Sequence, residues 1–175
     1  MKPRITVLII GVDDLERSLA FYRDGMGLKT EGIVGGEFAY GAVVFCDLQN
    51  GARLALWPRS SIAQDTGLPV QPHAATEFTI GHNVNSKDEV DAMMAQAAKA
   101  GATITKAAGA TFWGGYAGYF QDPDGHLWEI LWNPAWEIGE WVTSIPRAGD
   151  NRDRGAGALP PVRPAGRPPP RLCRV

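Results

Sequence analysis

Glu129 stands in the run Leu127-Trp128-Glu129-Ile130-Leu131, a carboxylate among large apolar side chains. Such a group either faces a polar cavity or is costly to bury. In a cavity it could move a proton next to a carbonyl, or ligate a divalent metal. Just before it, Trp113, Tyr116 and Tyr119, with Phe112 and Phe120, are interrupted by Gly114, Gly115 and Gly118. Rings offer flat apolar surface with polar edges, and a glycine-rich backbone can approach a ligand closely, so this segment could close over a planar or aliphatic molecule. Phe120 and some of the other rings are equally suited to packing a helix against a sheet. Trp128 and Trp132 alternate with Glu129 along a strand and take the opposite face, in a helix-packed core or a dimer contact.

These side chains need a hairpin to hold them. Asp122-Pro123-Asp124-Gly125 lies between two apolar runs; proline presets φ for the second turn position and glycine accepts φ > 0, so the two runs should pair antiparallel. An earlier stretch, Phe45 to Trp57, has the same design, with its turn closing on Asn50-Gly51. Superposing Gly51 on Gly125 brings Ala55 onto Glu129, since each lies four residues past its glycine. The chain reads as an internal duplication in which one copy keeps a carboxylate.

The flanking segments extend the repeat. Ile5 to Val12 is an aliphatic, β-branched run fit for a covered strand. Asp13 or Asp14 caps a helix with Leu15, Leu19, Tyr22 and Met26 on one face and Gly27 at its end. Strands follow around Thr30–Val34, Tyr40–Asp47 and Ala52–Trp57. The pattern then returns: Glu77–Val84 as a strand; a helix opened by the capping box Ser86…Glu89, with Val90, Met93, Met94 and Ala97 on its buried face; and strands at Ala102–Lys106, Tyr116–Gln121 and Leu127–Trp132. The predicted fold class is α+β, two tandem βαβββ modules at 1–57 and 77–138. Residues 58–76 are polar and proline-bearing without periodicity, which predicts a linker or surface loop, with His73 solvated in it. His126, after the turn glycine, is read as a solvated or backbone-bonded imidazole. Residues 139–175 form a C-terminal extension rich in Pro, Arg, Gly and Ala, expected to be mostly disordered from about 149.

Composition narrows the function classes. The formal net charge of −2 combines a tail at 147–175 of seven Arg and two Asp with a preceding body of net −7. A body that acidic does not suit nucleic acid. No apolar run approaches the roughly 18 to 20 residues of a membrane helix, and the N-terminal run is too short for a secretory signal, so the expected compartment is the cytoplasm. Cys46 and Cys173 lie in unlike settings, which does not support a disulfide, and Cys46 reads as a small buried hydrophobe.

The two tandem modules, Val12-Asp13-Asp14-Leu15-Glu16-Arg17-Ser18 with Phe21-Tyr22 on the first helix, and Asp122-Pro123-Asp124-Gly125 followed by Glu129, together resemble the vicinal oxygen chelate superfamily of glyoxalase I, bleomycin-resistance proteins and extradiol dioxygenases. The resemblance spans residues 4 to about 135. It implies that each module curls its strands into a half-barrel, that paired half-barrels hold a metal or an organic ligand, that the chain forms a homodimer, and that the site can lie between subunits. In metal-using members the ligands come from the first and last strand of each module. Those positions fall here on Val7, Ala55, Thr79 and Glu129, of which Glu129 alone matches. One carboxylate and one hydroxyl cannot replace a His/Glu set. His82 has the opposite strand parity from Thr79 and would join only through a bulge.

The resemblance therefore implies a degenerate metal site, with no cofactor expected, and a cavity bounded by Val7, Ala55, Thr79, Trp113, Tyr116, Tyr119 and Glu129 that takes a small, partly apolar molecule. Its alternative is a glyoxalase-type lyase, isomerase or dioxygenase in which Glu129 ligates Zn²⁺, Ni²⁺ or Fe²⁺ or acts as acid and base.

Overall fold

The computed structural model describes residues 5–135. The first module runs β1 (Val7–Val12), α1 (Leu15–Leu19) continued by a π-helical turn over Ala20–Gly25, β2 (Thr30–Val34), β3 (Val43–Asp47) and β4 (Arg53–Pro58). After α2 (Arg59–Thr66) the second module follows as β5 (Thr79–Asn83), α3 (Lys87–Ala100), β6 (Thr103–Ala110), β7 (Tyr116–Gln121) and β8 (Leu127–Trp132). The Arg- and Pro-rich tail and Cys173 lie outside the described residues.

Each module makes its own four-stranded mixed sheet, ordered β1-β4-β3-β2 and β5-β8-β7-β6, so the fold is the α+β duplication that the repeat implied. In both, the first strand pairs parallel with the last, across a helical crossover. The register repeats as well. Val7 faces Arg53 and Ile9 faces Ala55 in the first sheet, while Thr79 faces Leu127 and Gly81 faces Glu129 in the second. Ala55 and Glu129 are thus structural counterparts.

Local chemistry explains the helices. Asp14 caps α1 by accepting from the Arg17 N–H at 3.0 Å. Ser86 caps α3 through the Glu89 N–H, and the Glu89 carboxylate reaches back to the Asn85 N–H at 2.9 Å. Leu19 and Tyr22 are buried as the 3.6-residue period requires, and Val90, Met94 and Ala97 likewise. The helix faces of both sheets share one core, in which Ile10, Val12, Val44, Cys46, Leu54 and Leu56 meet Val90, Met94, Phe120 and Ile130. Burial pushes the Cys46 thiol up to about 11, so it behaves as the small hydrophobe its setting implied.

The segment expected to be a loop after β4 contains a helix instead. α2 has a single buried residue, Ser61, and no apolar stripe, so periodicity could not reveal it. Tertiary contact holds it: a Cβ at Gly11 would lie 2.8 Å from the Arg59 Cγ and 3.3 Å from the Ile62 Cδ1, so the helix rests directly on the bare backbone of β1. His73 is also tied down. Its Nε2 lies 3.1 Å from the Asp13 Oδ2 and 2.7 Å from the Arg59 Nη1, and Arg59 donates to the Gln71 carbonyl.

Candidate functional site

Helices α1 and α3 cover one face of each sheet; the other face is free of helix in the second sheet and carries α2 only against Gly11 in the first. On the open face of the second sheet a row of side chains crosses all four strands: Lys106 on β6, Tyr119 on β7, Glu129 on β8 and the bare Gly81 on β5. The Tyr119 hydroxyl donates to the Glu129 Oε1 at 2.5 Å. That hydrogen bond, with burial and the carboxylate charge adding to it, pushes the Tyr119 phenol up to about 12, so Tyr119 remains a donor at neutral pH. The Lys106 ammonium stands 5.4 Å from the Tyr119 ring centroid. Thr79 lies on this face one pleat repeat from Gly81.

Lys106 reaches the row through a bulge. Ile104 pairs with Phe120, and the next pair is Lys106 with Tyr119, so two steps on β6 match one on β7. Without the bulge, regular alternation from Ile104 would place Thr105 opposite Tyr119 and aim Lys106 at the helices. The first sheet has its own register shift, between Thr30 and Ile33, at Gly32 with φ +90°.

Other residues singled out from the sequence lie elsewhere. Tyr116 is on the helix face, where its hydroxyl donates to the Asp91 Oδ1 at 3.0 Å and its ring partners Lys87, so Tyr116 and Glu129 do not share a cavity wall. Alternation decides this, because Tyr116 and Phe120 share one parity and Tyr119 has the other. Trp113 is in the hairpin loop after β6, partly exposed and folded back over Gly115. Val7 and Ala55 lie on the open face of the first sheet, away from Thr79, Tyr119 and Glu129 on the second. His82 lines a small apolar cavity of about 60 Å³ on the helix side, with Tyr22, Met93, Phe120 and Trp128. Burial pushes its imidazole down, partly offset by Glu89. Trp128 and Trp132 pack on the core as their parity required.

A second polar cluster joins the modules. Asp124, buried, accepts from the Asp13 N–H at 2.9 Å, from the Arg17 Nη2 at 2.8 Å and from the Ser18 hydroxyl at 2.5 Å. Asp122, also buried, accepts from the Tyr22 hydroxyl at 2.6 Å and from the N–H of His126 at 2.8 Å, with the His126 Nδ1 at 2.8 Å. Burial alone would raise the Asp122 carboxyl, but the His126 and Tyr22 hydrogen bonds outweigh it and hold it below its usual range. Burial opposes a charged His126, yet Asp122 and Asp124 raise its imidazole above the ordinary value. The His126 ring is therefore held by the Asp122 carboxylate, not free in solvent. The turn of the second module grips the first helix; the Asp-Pro-Asp-Gly motif read as a turn concealed this second task, as did the bulge that presents Lys106.

The donor set tests for a metal. Val7, Ala55, Thr79 and Glu129 present two hydrocarbons, a hydroxyl and a carboxylate already engaged by Tyr119, and no three His, Cys, Asp or Glu among the described residues converge on one point. These positions do not fit a transition metal that needs imidazole or several carboxylates.

The profile of the Glyoxalase/Bleomycin resistance protein/Dioxygenase superfamily matches residues 4–130. A glyoxalase-related enzyme from Fulvimarina pelagi is 34% identical, with 79% of this chain and 94% of that one covered and a TM-score of 0.67. A member of the same superfamily from Burkholderia phytofirmans PsJN is 20% identical over 73% of this chain and 96% of its own, with a TM-score of 0.61. Lactoylglutathione lyase from Agrobacterium tumefaciens is 22% identical over 78% and 98%, with a TM-score of 0.58. No curated protein matches. With the duplicated βαβββ sheets, their shared register and the match over 4–130, the chain belongs to the glyoxalase/bleomycin resistance protein/dioxygenase superfamily.

Proposed function

We propose that the chain is a metal-poor member of its superfamily that binds a small, partly apolar molecule on the open face of the second sheet, with Glu129 as the polar anchor. The observation that carries this reading is the Tyr119–Glu129 pair, at 2.5 Å, standing at the strand position where the family places its last-strand ligand while the other three positions hold Val7, Ala55 and Thr79. A carboxylate fixed by a phenol and flanked by bare Gly81 leaves room for a ligand atom and supplies an acceptor to orient it.

The same reading calls for a second copy. Each sheet turns its helix face to the shared core, so the open faces of one chain cannot close over each other. On the first sheet Val7, Ile9 and Val34 are 40%, 49% and 40% exposed. Exposed apolar side chains on a sheet face of this kind favour cover. In a homodimer the first sheet of one chain closes over the second sheet of its partner and brings Val7 and Ala55 toward Thr79 and Glu129. Among the described residues no helix is long and apolar enough to cross a membrane, in keeping with a cytoplasmic protein.

A metal-free lyase or isomerase is the second reading, favoured by the same pair: Glu129 takes a proton next to a carbonyl and Tyr119 returns one. Elemental analysis of protein purified without added metal or a histidine tag tests both. Binding or metal-free catalysis requires less than about a tenth of an equivalent of metal and no uptake of Ni²⁺, Zn²⁺ or Fe²⁺. Near one equivalent surviving dialysis overturns both readings. Turnover in chelator that is lost in Glu129→Gln selects the second.

A further inference from the structure

The row on the second sheet holds a cation that the proposed binding role of Glu129 does not use. Lys106 has no ion-pair partner among the described residues. It stands over the Tyr119 ring, at the site that a bulge turns onto the open face. The first sheet sharpens the point. Its aromatic counterpart, Phe45, also has a cation over its ring, Arg53 at 5.7 Å, but there the charge is answered by Asp47 at 3.5 Å. The residue nineteen before the turn glycine is Gly32 in the first module and Lys106 in the second. The bulge is present in both copies, and at this matched position it holds glycine in the first and lysine in the second.

We infer that this face selects small carboxylates: the ligand's anionic group sits at Lys106, its flat or apolar body lies along Tyr119, and a hydroxyl or other donor at its far end meets Glu129. This rests on the open face of the second sheet being the binding face. The dimensions agree. Lys106 and Glu129 are on strands separated by one other, so their backbones are about 10 Å apart, a span that a hydroxylated aromatic or short-chain acid fills once both side chains reach inward. A buried ammonium without a counter-anion is unfavourable, so closing this face under a partner sheet makes an anionic ligand more welcome and a cationic one less. Asn83 lies on β5, one pleat repeat beyond Gly81. It shares the parity of Thr79 and Gly81, and its Oδ1 is buried without a hydrogen-bond partner among the described residues.

The experiment compares 4-hydroxybenzoate with its neutral isostere 4-hydroxybenzamide by amide chemical-shift titration of the full chain. The wild type should bind the carboxylate about fivefold more tightly, the amides of β7 and β8 should shift, and added salt should narrow the difference. In Lys106→Met the two affinities should converge, and Lys106→Arg should restore the preference. Equal affinities in the wild type, with shifts on β7 and β8, overturn the selection and leave the binding face standing, as does a preference that survives Lys106→Met. Absence of shifts on β7 and β8 with either probe overturns the inference together with the face it rests on. Retention of the wild-type spectrum away from residue 106 shows that a lost preference in Lys106→Met is not lost folding.

Discussion

The open faces of the two sheets have one topology and two chemistries. Across the first, the paired row reads Phe45, Ala55 and Ile9, with the Glu31-Gly32 bulge of β2 at its end; across the second, Lys106, Tyr119, Glu129 and Gly81. The turns differ in the same sense: where the second module has Asp122 and Asp124, the first has Leu48 and Asn50, counted from Gly51 and Gly125. Duplication has left a frame that is indifferent to what its outward positions carry, because hydrogen-bonded register depends on backbone pairing and core-facing residues alone. In the proposed dimer the first copy supplies the cover, while the second holds the Tyr119–Glu129 pair and the grip on its neighbour's helix. Function in this fold is decided by a handful of open-face residues, not by the frame.

The comparison can be broken or sharpened by substitution. The largest effect should come from the turn. Asp124→Ala leaves the Ser18 hydroxyl, the Asp13 N–H and Arg17 without their partner, and denaturant unfolding should show a loss of about 2 to 3 kcal/mol. Asn50→Gly at the counterpart, where φ is 58°, should change stability by no more than about 0.5 kcal/mol. Equal losses at the two turns would mean that the grip is not specific to the second module.

Next is the apolar cover. Ile9→Asp puts a charge on a half-exposed position of the first sheet and should convert dimer to monomer in sedimentation velocity at micromolar protein with little change in secondary structure. An unchanged sedimentation coefficient would remove the cover from the scheme.

A smaller effect is expected at the polar row. Glu129→Gln keeps the shape of the side chain but removes the charged acceptor of the Tyr119 hydroxyl, and should weaken ligand binding about tenfold while stability moves by less than about 1 kcal/mol. The matching change on the first sheet, Phe45→Tyr, should leave ligand affinity as it was.

The smallest is a pH dependence confined to the second module's turn. His126 has its folded pKa raised by Asp122 after burial is overcome. Its stabilisation is therefore complete below the unfolded value near 6.5 and is lost as pH rises through the folded value. Asp122 is held below its usual range, so its share is complete above about pH 4 and is lost as pH falls through the folded value. Stability should be greatest between those limits and fall above pH 6.5. In His126→Gln that upper fall should vanish; if it persists, another group is responsible.

Much of the frame was legible from a few residues. The Asp13-Asp14 pair and Ser86 announced the helices, Asp122-Pro123-Asp124-Gly125 the second hairpin, and Gly51 against Gly125 the register that matches Ala55 to Glu129. Strand parity also placed Trp128, Trp132 and Glu129 on their correct faces. It did less well where backbone regularity fails or local pattern is absent. α2 has no apolar stripe and is held by Gly11. Lys106 is turned outward by a bulge that no residue type marks. Tyr116, grouped with Tyr119 by proximity in sequence, bonds Asp91 on the helix face. His73, read as solvated, and His126, read as solvated or backbone-bonded, are held by carboxylates distant in sequence or hidden within a turn.

By itself the sequence determined the duplication and the order of strands and helices, because both follow from local periodicity, turn chemistry and residue identity counted along the chain. Only the tertiary structure decided that Asp122 and Asp124 clamp the first helix, that Tyr119 holds Glu129, and that Lys106 joins their row. Those contacts join residues through strand pairing and a one-residue bulge, and the sign of a strand's face reverses with every residue, so a single irregularity settles what spacing alone leaves open.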